Sequence, residues 1–204
     1  MTVLEKSARN QLDKAVQAAR RVATAGADRA LRALGVDQEK KPAHLTPEQS
    51  ELRRRLRVRC RGLGSWQDLV RAVAYEQWHR MLFARFLAEN GLLIHPEYHA
   101  PVTLDECAEI ARARGLDQWE VAAEYAARML PGIFQQDDPF LLLKFAPEDR
   151  AALQEILAEI PAETFRTQDA LGWTYQFWQT EEKAAVNASG RKIEGADICA
   201  VTQL

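Results

Sequence analysis

Cysteine is scarce in this chain: Cys60, Cys107 and Cys199 are the three among 204 residues, far apart and in no CxxC pair. A disulfide scaffold is excluded, and the three read as reduced, mostly buried thiols. Glycine, at 10 residues, and proline, at 8, are too few for a collagen-like or low-complexity chain. Long apolar runs are missing as well. The best candidate, Met81 to Ile94, is interrupted by Arg85, Glu89 and Asn90, whereas a membrane span needs roughly 20 apolar residues. The opening MTVLEKSARN lacks the apolar core of a signal peptide, so a cytoplasmic protein with no membrane partner is expected. Absent too are the phosphate-cradling GxxxxGKS/T, the dinucleotide GxGxxG, HExxH and GxSxG, and each absence removes an enzyme class. Runs of alternating apolar and polar residues are nearly missing, and no repeat of 20 to 50 residues is found.

What remains is helical periodicity in a chain that is 47% hydrophobic and 27% charged, enough for one domain, or one domain plus an arm. The fold class expected is all-α, a multi-helix globular domain with an N-terminal helical arm. Leu12, Val16, Ala19, Ala23, Ala27, Ala30 and Leu34 recur at three and four. Alanine buries little area, so residues 1–36 read as an arm leaning on something else, with Gly26 as a break. The polar stretch from Asp37 to Leu45, with Pro42, is the linker. Residues 46–187 form the helical domain. Thr46-Pro47-Glu48-Gln49, Ser65, Thr103-Leu104-Asp105-Glu106 and Asp117 are helix starts. The helix after Ser65 is apolar around most of its circumference and is expected at the centre of the core. A single last helix is expected from about Gln168 to Val186, and residues 188–204 read as a junction.

Charge is uneven. Residues 1–64 hold 15 Lys+Arg against 7 Asp+Glu, while the remainder holds 12 against 22, a hint of a polyanionic partner for the basic third. Its focus is Arg53, Arg54, Arg55, Arg57, Arg59 and Arg61, on a helix whose apolar side is Leu52, Leu56, Cys60 and Leu63. Guanidinium groups suit bidentate phosphate contacts, so these six are the candidate DNA-binding residues, with Lys40 and Lys41 extending the surface. The competing expectation is that several pair with nearby carboxylates. His79 reads as a helix-surface histidine with a hydrogen-bond partner. His95 and His99 read as solvated loop residues, too few to hold a metal. Asp137-Asp138 reads as a helix cap and Glu181-Glu182 as a solvated face. No catalytic residue and no metal site is expected. Trp173, Tyr175, Phe177 and Trp178 crowd one helix and read chiefly as packing.

A family comes into view at the C-terminal end. The stretch from Leu171 to Leu204 contains a GW.YQF block at Gly172, Trp173, Tyr175, Gln176 and Phe177, then Glu181-Glu182-Lys183, Lys192-Ile193 and a closing AVTQL at Ala200 to Leu204. It resembles the segment just ahead of the catalytic domain in large adenine-specific DNA methyltransferases, the PglX type of BREX phage-defence systems. The methyltransferases of DISARM systems and of fused restriction-modification enzymes are similar. Leu69-Val70, Val73-Ala74-Tyr75, Trp78, Arg80, Arg85-Phe86 and Glu89-Asn90-Gly91 are similar to the family's N-terminal helical pattern, so the resemblance covers about Trp66 to Leu204. It implies S-adenosylmethionine as the cofactor of the full-length enzyme, and as partners double-stranded DNA and a downstream methyltransferase domain or other defence-system subunits. This chain departs from the family in having neither the S-adenosylmethionine loop nor an NPPY-type tetrapeptide, both needed for methylating an extruded adenine. It is thus expected to be a catalytically silent N-terminal region, truncated before the catalytic domain and holding no cofactor of its own. Trp173, Tyr175 and Phe177 would support the interdomain junction. The alternative is a protein-interaction scaffold with apolar surface open near Asn187 to Lys192.

Overall fold

The computed structural model describes residues 4–132, 135, 137–167 and 169–189. The fold is all-α. Ten helices occur among the described residues: α1 (Lys6–Ala33), α2 (Pro47–Leu63), α3 (Trp66–Glu89), α4 (Leu104–Arg114), α5 (Gln118–Met129), α6 (Pro139–Leu142), α7 (Pro147–Glu159), α8 (Ala162–Phe165), α9 (Ala170–Trp178) and α10 (Thr180–Ser189). The nearest thing to a strand is one isolated antiparallel bridge, Ile94 with Pro101, in the loop before α4.

Local chemistry explains the starts. The Thr46 hydroxyl accepts from the Gln49 N–H at 3.2 Å and the Gln49 side chain accepts from the Thr46 N–H at 3.0 Å, so two otherwise orphaned donors of α2 are satisfied reciprocally. Thr103 with Glu106 and Asp117 with Glu120 repeat this arrangement at α4 and α5. The stop of α2 is Gly64, at φ 95°, a left-handed position that glycine adopts without Cβ strain.

α3 is the hub, touching α1, α2, α5, α6 and α8, and Leu69, Val73, Ala74 and Trp78 on it are 0–1% exposed. α1 is its equal. Instead of forming an arm beside the domain, α1 packs on α3, α7 and α9, and Val16, Ala19, Ala23, Ala27 and Leu31 lose all solvent exposure in the same core as Trp78. The thin alanine seam is what permits this. Each buried methyl contributes only about 0.8 kcal/mol, but small side chains let three helices approach one axis closely.

Gly26 follows the same logic. It does not break α1; a Cβ placed there would lie 3.0 Å from Cδ2 of Phe145 and 3.3 Å from Cβ of Asp149, so the missing side chain is the room in which Phe145 packs. Leu63 also departs from expectation. It is 42% exposed, while Leu56 on the same helix is buried.

The expected last helix is two helices. The Gln17 amide donates to the Phe177 carbonyl, and the Arg20 guanidinium donates to the Trp178 carbonyl and, at 2.5 Å, to both carboxylate oxygens of Glu182. Side chains of α1 thus take the carbonyls that a continuous helix would offer to residues 181 and 182, and the axis breaks at Gln179. Residues 190–204, holding most of the expected junction, the AVTQL motif and Cys199, lie outside the described residues.

Candidate nucleic-acid interface

Six arginines within nine positions cannot share one side of an α-helix, because each residue turns the chain by about 100°. On α2 they divide into three pairs with different surroundings.

Arg53 and Arg57, four apart, face the loop that follows α1. Arg53, 8% exposed, donates from Nε to the Gly35 carbonyl at 2.8 Å and from its terminal nitrogen to those of Gln38 at 2.5 Å and Lys40 at 3.3 Å. Arg57 donates to the Val36 carbonyl at 2.9 Å and to that of Gln38. A helix end leaves carbonyls without partners, and a guanidinium fork satisfies several at once. Here the polar linker becomes an ordered loop wrapped on α2.

Arg55 and Arg59 face the turn before α6. Arg55 donates to the Asp137 carbonyl, and Arg59 pairs with the Asp138 carboxylate at 2.9 Å while its guanidinium lies 5.1 Å from the centre of the Phe140 ring. Asp138 also caps α6 through the Phe140 N–H at 2.8 Å.

Arg54 and Arg61, seven apart, point outward with Val58 between them. Arg54 pairs with Glu51 one turn earlier, at 2.5 Å, with its side chain still 67% exposed. Arg61 is exposed and has no hydrogen-bond or ion-pair partner among the described residues. Lys40 and Lys41 are exposed on the loop that Arg53 and Arg57 hold against α2.

The six-residue stripe read from the sequence is therefore corrected. Arg53 is a buried clamp that cannot reach a phosphate. Arg55, Arg57 and Arg59 tie loops to the helix, Arg59 with its side chain still 51% exposed, and the cations free of such ties are Arg54 and Arg61, joined by Lys40 and Lys41.

The aromatic block of α9 divides as well. Trp178 is buried and stacks on Trp78, with centroids 6.4 Å apart. Trp173 is half-buried, stacks on Phe177 at 5.7 Å and carries the Arg9 guanidinium 5.1 Å above its ring. Tyr175 meets Tyr75 edge-on at 6.1 Å.

The histidines serve the fold. His79 lies between the rings of Tyr75, at 5.3 Å, and Phe83, at 5.7 Å, and burial pushes its pKa down. His95 accepts the N–H groups of Glu97 and Tyr98 on Nδ1, at 3.2 and 3.3 Å, and stacks on Tyr98. Among the described residues no group of three or more His, Cys, Asp or Glu side chains is placed to hold a metal, and no helix is long and apolar enough to cross a membrane. Glu182 is not part of a solvated face, since it is the partner of Arg20.

Sequence reasoning missed the buried arginines Arg20 and Arg85. The signal available was a charged residue on an apolar helix face, Arg85 following Met81 and Leu82 by four and three.

In comparisons with known proteins, no family model, no curated protein and no solved structure matches this chain. The methyltransferase resemblance accordingly stands on its quoted residues.

Proposed function

We propose that this chain is the helical, non-catalytic N-terminal domain of an adenine-specific DNA methyltransferase of a phage-defence or restriction-modification system, and that it holds duplex DNA by its phosphates. The observation that carries the reading is the GW.YQF block. Its residues occupy α9, a helix that packs on α1, and it precedes in sequence the segment that the resemblance assigns to the junction. The outward cations Arg54 and Arg61 lie on one side of α2, and Lys40 and Lys41 are exposed on the loop attached to it, charges suited to the backbone and indifferent to bases. S-adenosylmethionine and the flipped adenine would be handled by the downstream domain.

The intact mass of the polypeptide made by its native source tests the domain assignment. A mass well above 23.1 kDa, with an NPPY-type tetrapeptide in the added sequence, supports it; a mass at that value contradicts it.

A second reading, a docking module for a partner protein, is favoured by a different feature. An apolar groove of about 610 Å³ runs between the end of α1, the start of α2 and the segment before α7, walled by Leu34, Leu45, Leu52, Leu142 and Phe145. The surface near Asn187 to Lys192 that the sequence pointed to lies largely outside the described residues. Association through it would survive high salt, which phosphate contact would not.

A further inference from the structure

Among the described residues three arginines are buried below a tenth of their full exposure, and they share one task. Arg53 holds the carbonyls after α1, Arg20 that of Trp178 at the end of α9, and Arg85 those of Leu157 and Ile160 at the end of α7, the latter at 2.7 Å. Arg80, well sheltered in the middle of α3, breaks the pattern. It has no hydrogen bond and no ion pair within 4 Å among the described residues. Burial pulls its pKa down while Glu120 and Asp117 push back from a distance.

Arg80 stands where two adjoining cavities meet. The inner one, about 70 Å³, is lined by Arg80, Trp119, Arg150, Asp117, Glu120 and Gln154 among others. The outer one, about 370 Å³, shares Arg80, Glu120, Leu141 and Lys144 and is walled by Leu116, Ala123, Ala127, Leu142 and Glu124, whose carboxylate is held by Arg114 at 2.8 Å and Arg128 at 2.9 Å. That outer volume falls within the range of small-molecule sites, about 300–1,000 Å³.

Donors and acceptors in the inner chamber do not balance. Asp117 accepts from the Trp119 N–H at 2.8 Å and the Gln154 amide at 3.1 Å, and Glu120 accepts from the Asp117 N–H at 3.0 Å and Lys144 at 3.3 Å. Gln77 spends its amide on the Phe140 and Leu143 carbonyls at 2.7 and 2.8 Å. Arg150 reaches Asp117 with a terminal nitrogen at 3.8 Å, and the donors left without a partner are the half-buried Arg80 guanidinium, the buried Nε of Arg150 and the buried indole N–H of Trp119, which outnumber the two unpartnered amide oxygens of Gln77 and Gln154. A buried donor without an acceptor loses its hydration and gains nothing in return. The charged lining is Arg80, Arg150 and Lys144 against Asp117 and Glu120, a surplus of one positive charge. An acceptor group carrying one negative charge matches both conditions, and one with two coplanar oxygens also suits a guanidinium fork; that group is a carboxylate.

We infer that this cleft binds a small amphipathic monocarboxylate, its carboxylate on Arg80 and Trp119 in the inner chamber and its apolar body along Leu116, Ala123, Ala127 and Leu141. The inference is independent of the methyltransferase reading, since no residue of the DNA surface takes part.

The probe is 4-phenylbutyrate, followed by proton–nitrogen NMR of the five indole N–H groups, with the Trp119 peak identified by W119F. The Trp119 peak should move saturably, with a Kd below about 1 mM, and stay still for 4-phenylbutanol and for inorganic phosphate. R80M should weaken binding by about tenfold or more, and its other indole peaks report whether the fold is kept. If R80M does not fold, R80K, which keeps the charge and loses the planar fork, should weaken binding measurably. No movement of the Trp119 peak, equal movement with the alcohol, movement with phosphate instead, or unaltered affinity in a folded Arg80 variant would each overturn the assignment.

Discussion

The Nε of Arg53 lies 2.8 Å from the carbonyl oxygen of Gly35, inside the protein. That single bond reverses the plainest inference from the sequence, in which six clustered arginines are a surface. α2 spends much of its charge inward, on the carbonyls of the loop that follows α1 and on the turn before α6. The cations that reach solvent are fewer, and their identity is specific.

Neighbouring arginines of α2 should therefore behave oppositely on substitution. Arg53→Met strands the Gly35 carbonyl and releases the loop, and should destabilise the fold by about 2 kcal/mol. Arg54→Ser, on the exposed face, should leave the unfolding midpoint where it is. Urea denaturation of both variants checks the contrast, and equal midpoints would refute the clamp.

Gly26 gives a test of packing against propensity. Alanine in a helix interior is favoured over glycine by about 1 kcal/mol, yet here the new methyl meets Phe145, 4% exposed, and Asp149, held by Arg29. Neither neighbour can retreat far, so Gly26→Ala should lower stability by about 1 kcal/mol. In a Phe145→Leu background the same change should become neutral or stabilising, and a double-mutant cycle measures that coupling.

Acid should loosen the aromatic stack on α3. Burial lowers the folded-state pKa of His79 below its ordinary value, so the unfolded chain binds the proton more readily. The sign follows from linkage: this contribution to stability is complete above the unfolded pKa, about 6.5, and is lost as pH falls through the folded value. Glu76, raised chiefly by burial and next by Asp138, acts in the opposite sense. The comparison is thus between the chain and His79→Phe, which keeps the ring between Tyr75 and Phe83. The variant should lose less stability than the parent between about pH 7 and pH 5, as read by thermal melting at each pH; parallel curves would contradict it.

Helix starts were legible because each is a local event: a Thr, Ser or Asp beside its own N–H groups needs no distant partner. The centrality of α3 was legible too, since a helix apolar around most of its circumference has only one place to go. What escaped was long-range. The alanine seam of α1 reads as little buried area, and only its three neighbours reveal that small side chains bring helices together. The break at Gln179 is made by Gln17 and Arg20, some 160 residues earlier in the chain. The same limit hid the fate of the arginine cluster. Spacing alone tells that guanidiniums are near one another, and whether they meet carbonyls or solvent depends on loops elsewhere. Arg80, read only as part of a family pattern, gave no sign of its cavity, because Trp119 and Arg150 reach it from other helices.

The most direct test of the phosphate-holding role is the binding of labelled duplex DNA by fluorescence anisotropy between about 50 and 200 mM salt. The account predicts weak binding whose logarithm falls linearly with the logarithm of salt concentration. Arg54→Ser with Arg61→Ser should lower the affinity for every sequence and reduce the slope by about two. Binding that ignores salt, or that the paired substitution leaves unchanged, would contradict it.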